Sequence, residues 1–113
     1  MIVTAGRTLI RDYFMGTKTG GLTHIATGAG TTSVTDNDTA LVTQTGRFTC
    51  NADRYGNGKA QYYTDTGYNQ SIGTVSEIGL FNASSSGTMF LRDVFTGFST
   101  TGKLEIKLVV TIT

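Results

Sequence analysis

The closing stretch Lys103-Leu104-Glu105-Ile106-Lys107-Leu108-Val109-Val110-Thr111-Ile112 repeats with a period of two. Leu104, Ile106, Leu108, Val110 and Ile112 fall on one side, and Lys103, Glu105, Lys107, Val109 and Thr111 on the other. Successive strand side chains point to opposite faces, so the pattern predicts a half-buried strand. Ahead of it, Glu77-Ile78-Gly79-Leu80-Phe81-Asn82 and Thr88-Met89-Phe90-Leu91-Arg92-Asp93-Val94-Phe95 flank the turn Ala83-Ser84-Ser85-Ser86-Gly87. That arrangement predicts a hairpin. Further upstream, Phe48, Cys50 and Ala52 alternate with Thr49 and Asn51. Asn57-Gly58 then supplies a strong hairpin-turn signal, and residues 59–66 return as the partner strand. Leu22-Thr23-His24-Ile25-Ala26-Thr27 reads as a short strand entering the turn Gly28-Ala29-Gly30. Residues 33–38 read as an exposed loop, Ala40-Leu41-Val42 as a return to the core, and residues 67–74 as a loop.

Helical spacing appears near the start of the chain. Ala5, Leu9, Ile10, Tyr13 and Phe14 form one stripe, Thr4 is the expected N-cap, and Gly16 stands where a left-handed residue ends a helix. So short a helix needs a sheet or a neighbouring subunit to lie on. The expected fold is mainly β: an antiparallel β-sandwich with one short N-terminal helix, in a single domain over residues 1–113.

Composition narrows the classes. Charged residues make up 15% of the 113, below the usual share, so hydroxyl and amide groups cover much of the surface. The net charge of +1 with scattered Lys and Arg disfavours a nucleic-acid face, which concentrates basic residues. Cys50 is the single cysteine, so no intrachain disulfide forms and secretion is not implied. No signal peptide or membrane span is expected. Without an export signal, the sequons at Asn37, Asn69 and Asn82 read as turn residues.

Candidate chemistry is sparse. Gly28-Ala29-Gly30 has neither the Lys-Ser/Thr of a phosphate loop nor the third glycine of a dinucleotide fingerprint, and reads as a turn. Asp36-Asn37-Asp38 offers oxygens to a cation but lacks the glycine and distal glutamate of a calcium loop. Cys50 and His24 are the types needed for a nucleophile and its base, yet Cys50 lies on the apolar side of its strand. Glu77 and Glu105 are the only glutamates. Glu105 sits between Lys103 and Lys107 on a polar face, while Glu77 opens an apolar strand and is expected to pair with Arg92 across the hairpin. No catalytic, cofactor-binding or metal-binding residue is expected. The chain reads as non-enzymatic.

Glu77-Ile78-Gly79-Leu80-Phe81-Asn82-Ala83, followed by Gly87-Thr88-Met89-Phe90-Leu91-Arg92-Asp93-Val94-Phe95, resembles a group of small tailed-bacteriophage virion proteins. That group joins an E-x-G-L-F-N/D-A segment to a serine-glycine turn, an R-x-x-F segment and a final alternating strand. Upstream, the short helix, Thr23-His24-Ile25-Ala26 before a glycine-threonine turn, and Asp38-Thr39-Ala40-Leu41 keep the same order. The middle, between Thr43 and Ser71, diverges.

The resemblance implies a structural protein of the virion, made in the host cytoplasm. The favoured role is head decoration beside the major capsid protein, as a homotrimer, with no nucleic acid, membrane or cofactor partner. A tail-fibre or baseplate component is the alternative. A carbohydrate-binding module using Tyr55, Tyr62, Tyr63 and Tyr68 is a third class, which the lack of tryptophan disfavours. The apolar surfaces assigned to subunit or capsid contacts are Leu9, Ile10, Tyr13 and Phe14 on the helix, and the corner at Phe95 and Phe98. Closure of the domain's own core is the competing reading of both.

Overall fold

The computed structural model describes residues 1–67 and 72–112. Over these the chain forms α1 (Thr4–Met15), then β1 (His24–Gly28), β2 (Gln44–Thr49), β3 (Asn51–Gly56), β4 (Lys59–Asp65), β5 (Gly73–Phe81), β6 (Met89–Thr100) and β7 (Glu105–Thr111). The strands make two sheets, ordered β2-β1-β5-β6 and β3-β4-β7. Every pairing within them is antiparallel. The fold is therefore mainly β, with two antiparallel sheets and one short N-terminal helix.

Register explains the burial of the first sheet. Ile25 lies opposite Leu80, Thr27 opposite Ile78, and Leu80 opposite Leu91, which puts these side chains on one face. There Ile25, Ile78, Leu80 and Leu91 join Phe90 and the second sheet's Ile106 in one buried cluster. On the opposite face Ala26, Phe81 and Met89 are buried with Val3 and Leu41. Covered on both sides, β5 is buried without interruption from Val75 to Phe81. A strand enclosed in this way loses the apolar–polar alternation of a half-exposed one.

The stretch expected as a single strand through Cys50 is divided between the sheets. Its first half, β2, is an edge of the four-stranded sheet, and its second half, β3, is an edge of the three-stranded one. The Cys50 N–H still donates to the Thr23 carbonyl at 2.9 Å, on the β1 side. The Thr49 carbonyl already accepts from the Thr64 hydroxyl of β4 at 2.7 Å. Hydrogen bonding thus changes partner within one residue while the side-chain alternation runs on.

The helix begins differently from the sequence expectation. Val3, not Thr4, is the N-cap, and no side chain caps the helix. Tertiary contacts satisfy the first amides: Val3 N–H donates to the Phe90 carbonyl and Thr4 N–H to that of Asp36. At the other end Gly16 takes φ 74° as the left-handed C-cap, and its amide reaches the Tyr13 carbonyl. The helix lies against β6 at Gly6, where an added Cβ would stand 2.1 Å from the Phe90 carbonyl oxygen. Only a residue without a side chain permits that approach.

Along β7 and the residues flanking it, the inward row is graded. Ile106 is buried, Leu104, Leu108 and Val110 are half-buried, and Ile112 is 73% exposed. Burial is therefore greatest at Ile106 and falls away toward Ile112.

Candidate functional site

The densest constellation of polar groups is buried between β5, β6 and the loop of residues 29–43. Glu77, fully enclosed, accepts four hydrogen bonds. Its Oε1 takes the Val42 amide at 2.9 Å and Arg92 Nε at 2.9 Å. Its Oε2 takes the amides of Gly30 and Thr43, each at 2.8 Å. Arg92, 1% exposed, spends its remaining nitrogens on the same loop. One terminal nitrogen donates to Asp38 Oδ2 and the other to the Thr32 carbonyl, both at 2.9 Å. Asp38 in turn accepts from the Thr35 amide and hydroxyl. Ser76 adds a bond to the Gly30 carbonyl.

Both charges of the Glu77–Arg92 pair are thus desolvated but fully partnered, the condition under which a buried ion pair is tolerated. Burial alone would raise the Glu77 pKa. The amides of Thr43 and Val42, the Arg92 guanidinium and the Gly30 amide outweigh it and hold the carboxyl below its usual value. Asp38 is also held low, first by the Thr35 amide, against a smaller opposing effect of burial, with help from the Thr35 hydroxyl and Arg92.

This network accounts for two motifs that the sequence left as turn and cation candidates. The Gly28-Ala29-Gly30 segment does cradle an anion, and the anion is the chain's own carboxylate. A Cβ at either glycine would lie 2.5 Å from Glu77 Oε2. In the Asp36-Asn37-Asp38 segment, Asp38 is engaged by Arg92, and Asp36 lies 3.4 Å from Arg7. No group of three or more metal-ligating side chains occurs among the described residues. Sequence reasoning missed Asp38 as the third member, along with the purpose of the two glycines.

It also missed Arg47. That guanidinium lies 3.7 Å over the Phe81 ring and donates to the carbonyls of Ala83 and Ser86. It holds the serine turn of the β5–β6 hairpin against the first sheet. An arginine beside a phenylalanine in the folded sheet leaves no local pattern in the chain.

Cys50 and His24 do not make a poised pair. The His24 ring nitrogens meet the hydroxyls of Thr23 and Thr49 at 2.8 and 3.3 Å. Cys50 packs against the buried cluster shared with Tyr62. Burial pushes the Cys50 thiol up and, together with Arg47, pushes the His24 imidazole down. A thiolate–imidazolium couple needs the opposite shifts.

The residues assigned to contacts separate into distinct environments. Leu9 is buried beneath the helix. Ile10 and Phe14 border an apolar groove of about 350 Å³ with Tyr62, Val110 and Ile112, and Phe14 is 83% exposed. Tyr13 is half-buried, its hydroxyl on the Gly21 carbonyl at 3.1 Å. Phe95 and Phe98 stack on each other with centroids 6.0 Å apart, and both remain exposed. They lie within β6, which runs on to Thr100 where a corner was expected.

Of the tyrosines expected as a sugar platform, Tyr62 and Tyr63 do not share a face. Tyr62 turns into the apolar groove, whereas its neighbour Tyr63 lines a polar concavity with Asn51, Asp65, Glu105 and Lys107 on the other side of the second sheet. Tyr68 lies outside the described residues, as does the sequon at Asn69. No helix among the described residues is long and apolar enough to cross a membrane. No family model, curated protein or solved structure matches the chain.

Proposed function

We propose that the chain is a non-enzymatic structural protein of a tailed-phage virion. In this reading it decorates the capsid, bound as a homo-oligomer to the major capsid protein, with its two sheets acting as the layers of a small sandwich. The observation that carries the reading is the use made of Glu77 and Arg92. These two positions anchor the phage-like segments, and their charges are consumed in fixing a loop to a sheet. Such chemistry suits a rigid building block. Polar groups spent on internal bonds are not free to act on a substrate, and the exposed Phe14, Phe95 and Phe98 offer apolar area for contacts. Many copies, each burying roughly 800 Å² against a shell, would reinforce it without strong single contacts.

The test is addition of purified protein to expanded heads that lack decoration. Saturable, stoichiometric uptake is the expected result, and heads that take up none overturn the capsid role. Band intensities from purified virions separate it from a tail-fibre or baseplate role, which requires few copies per particle.

A further inference from the structure

We propose that β7 is a self-association edge: two copies pair through it as antiparallel neighbours about a two-fold axis, with Glu105 of each opposite Lys107 of the other. The inference goes beyond the virion reading and does not depend on it. It replaces the three-fold ring expected for head decoration with a two-fold pair.

The sheet edges differ in how they are protected. Beside β6, Ile2 bridges Leu91, and the Met1 carbonyl and Val3 amide bond to Arg92 and Phe90, so the start of that edge is covered. Its later part pairs with β5 through a register shift between Val75 and Glu77. The β2 edge carries a register shift between Gln44 and Gly46, opposite Thr27 and Gly28, and the β3 edge one between Arg54 and Gly56. On β3, alternation also places Arg54 on the face of Ala52 and Tyr62, a charge where an inward apolar residue would favour pairing. By contrast β7 pairs with β4 over its whole length, Glu105 to Thr111, without a shift. Among the described residues it has no strand on its other side. Its inward positions Ile106, Leu108 and Val110 are apolar, and proline is absent from the chain.

Flanking hydrogen bonds fix which backbone groups point outward. Thr66 N–H donates to the Leu104 carbonyl, and Ile112 N–H donates to the Gly58 carbonyl. Even-numbered positions of β7 therefore face β4. The N–H and C=O groups of Glu105, Lys107, Val109 and Thr111 face the open edge. A second β7 approaching antiparallel must set outward groups against outward groups, so odd positions oppose odd positions.

Charge then selects the register. With Ile106 opposite its own copy, Glu105 meets Lys107 twice, once on each side of the axis, and Leu104 meets Leu108 along the half-buried row. A shift to centre on Leu108 sets Lys107 against Val109 and Glu105 against Thr111, leaving both charges unmatched. Opposite charges directly across an antiparallel pair stabilise it and like charges oppose it. Within one copy Glu105 reaches only Lys103, at 3.4 Å, and Lys107 has no ion pair among the described residues.

The experiment is sedimentation equilibrium of the purified full chain and two charge variants. The wild type should sediment as a dimer. Lys107→Glu alone and Glu105→Lys alone each create two like-charge pairs and should weaken dimerisation by about tenfold or more. An equimolar mixture of the two variants should recover the dimer, because one chain then carries two acids opposite two bases. Both positions are exposed, and unchanged far-ultraviolet circular dichroism checks that each variant folds. A monomeric or trimeric wild type, single variants that dimerise like the wild type, or a mixture that stays monomeric each overturns the proposal. None of these outcomes bears on whether the protein binds heads.

Discussion

At the scale of single residues, the fold concentrates its polar risk in one place. Glu77 and Arg92 are among the most deeply buried side chains, and each is worth keeping only while the other is present. Glu77→Gln replaces an acceptor with an amide group whose own N–H hydrogens confront the donors of Gly30, Val42 or Thr43. It also leaves the Arg92 charge buried and unbalanced. The expected loss is about 3–5 kcal/mol of unfolding free energy, measured by urea titration. Removing Arg92 as well should cost less than the sum of the two single changes, since the second loses a partner already gone. Additive losses would show that the two side chains act independently. The pair itself was legible in the sequence, because an acid and a base inside apolar strands at the two arms of a hairpin have few other places to go. Asp38 was not legible. It lies 54 residues from Arg92 in the chain, in a polar stretch with the look of any exposed loop.

Among the elements, legibility followed the number of covered faces. The alternation of β7 could be read because one side meets the core and the other meets water. Ile106→Asp should therefore prevent folding, by placing a carboxylate without partners in the buried cluster. Lys107→Thr, on the exposed side, should leave the unfolding free energy of the dissociated monomer, from urea titration at high dilution, unchanged within about 0.5 kcal/mol. Comparable effects at both positions would reverse the facing. The break between β2 and β3 could not be read, because the side-chain pattern is continuous through Cys50 and only the pairing partners change. The helix was found from its stripe, yet its closeness to β6 rests on Gly6, which no periodicity singles out. Gly6→Ala must force α1 away from the Phe90 carbonyl and should cost about 1–3 kcal/mol, the usual range for overpacking. Thermal melts showing no loss would mean that the helix sits farther out.

Across the whole molecule, the same network sets the response to acid. Glu77 and Asp38 titrate below their ordinary values of 4.5 and 3.8, so in acid the unfolded chain binds more protons than the folded one. Their stabilising contribution is complete above those ordinary values and is lost as the pH falls through the lower folded-state values. Unfolding free energy should hold level down to about pH 5 and then decline steeply. Asp38→Asn, which keeps the side-chain shape, should start lower and decline less. A wild-type curve flat to about pH 2 would show that these carboxylates are not linked to folding.

The crossing of the chain between its two sheets has a practical corollary. Cys50, the only sulfhydryl, stands where a single backbone segment leaves one sheet and enters the other. Half-buried as it is, it gives a small alkylating reagent one place to react, so a single mass shift on the intact chain marks that crossing without introducing any reporter.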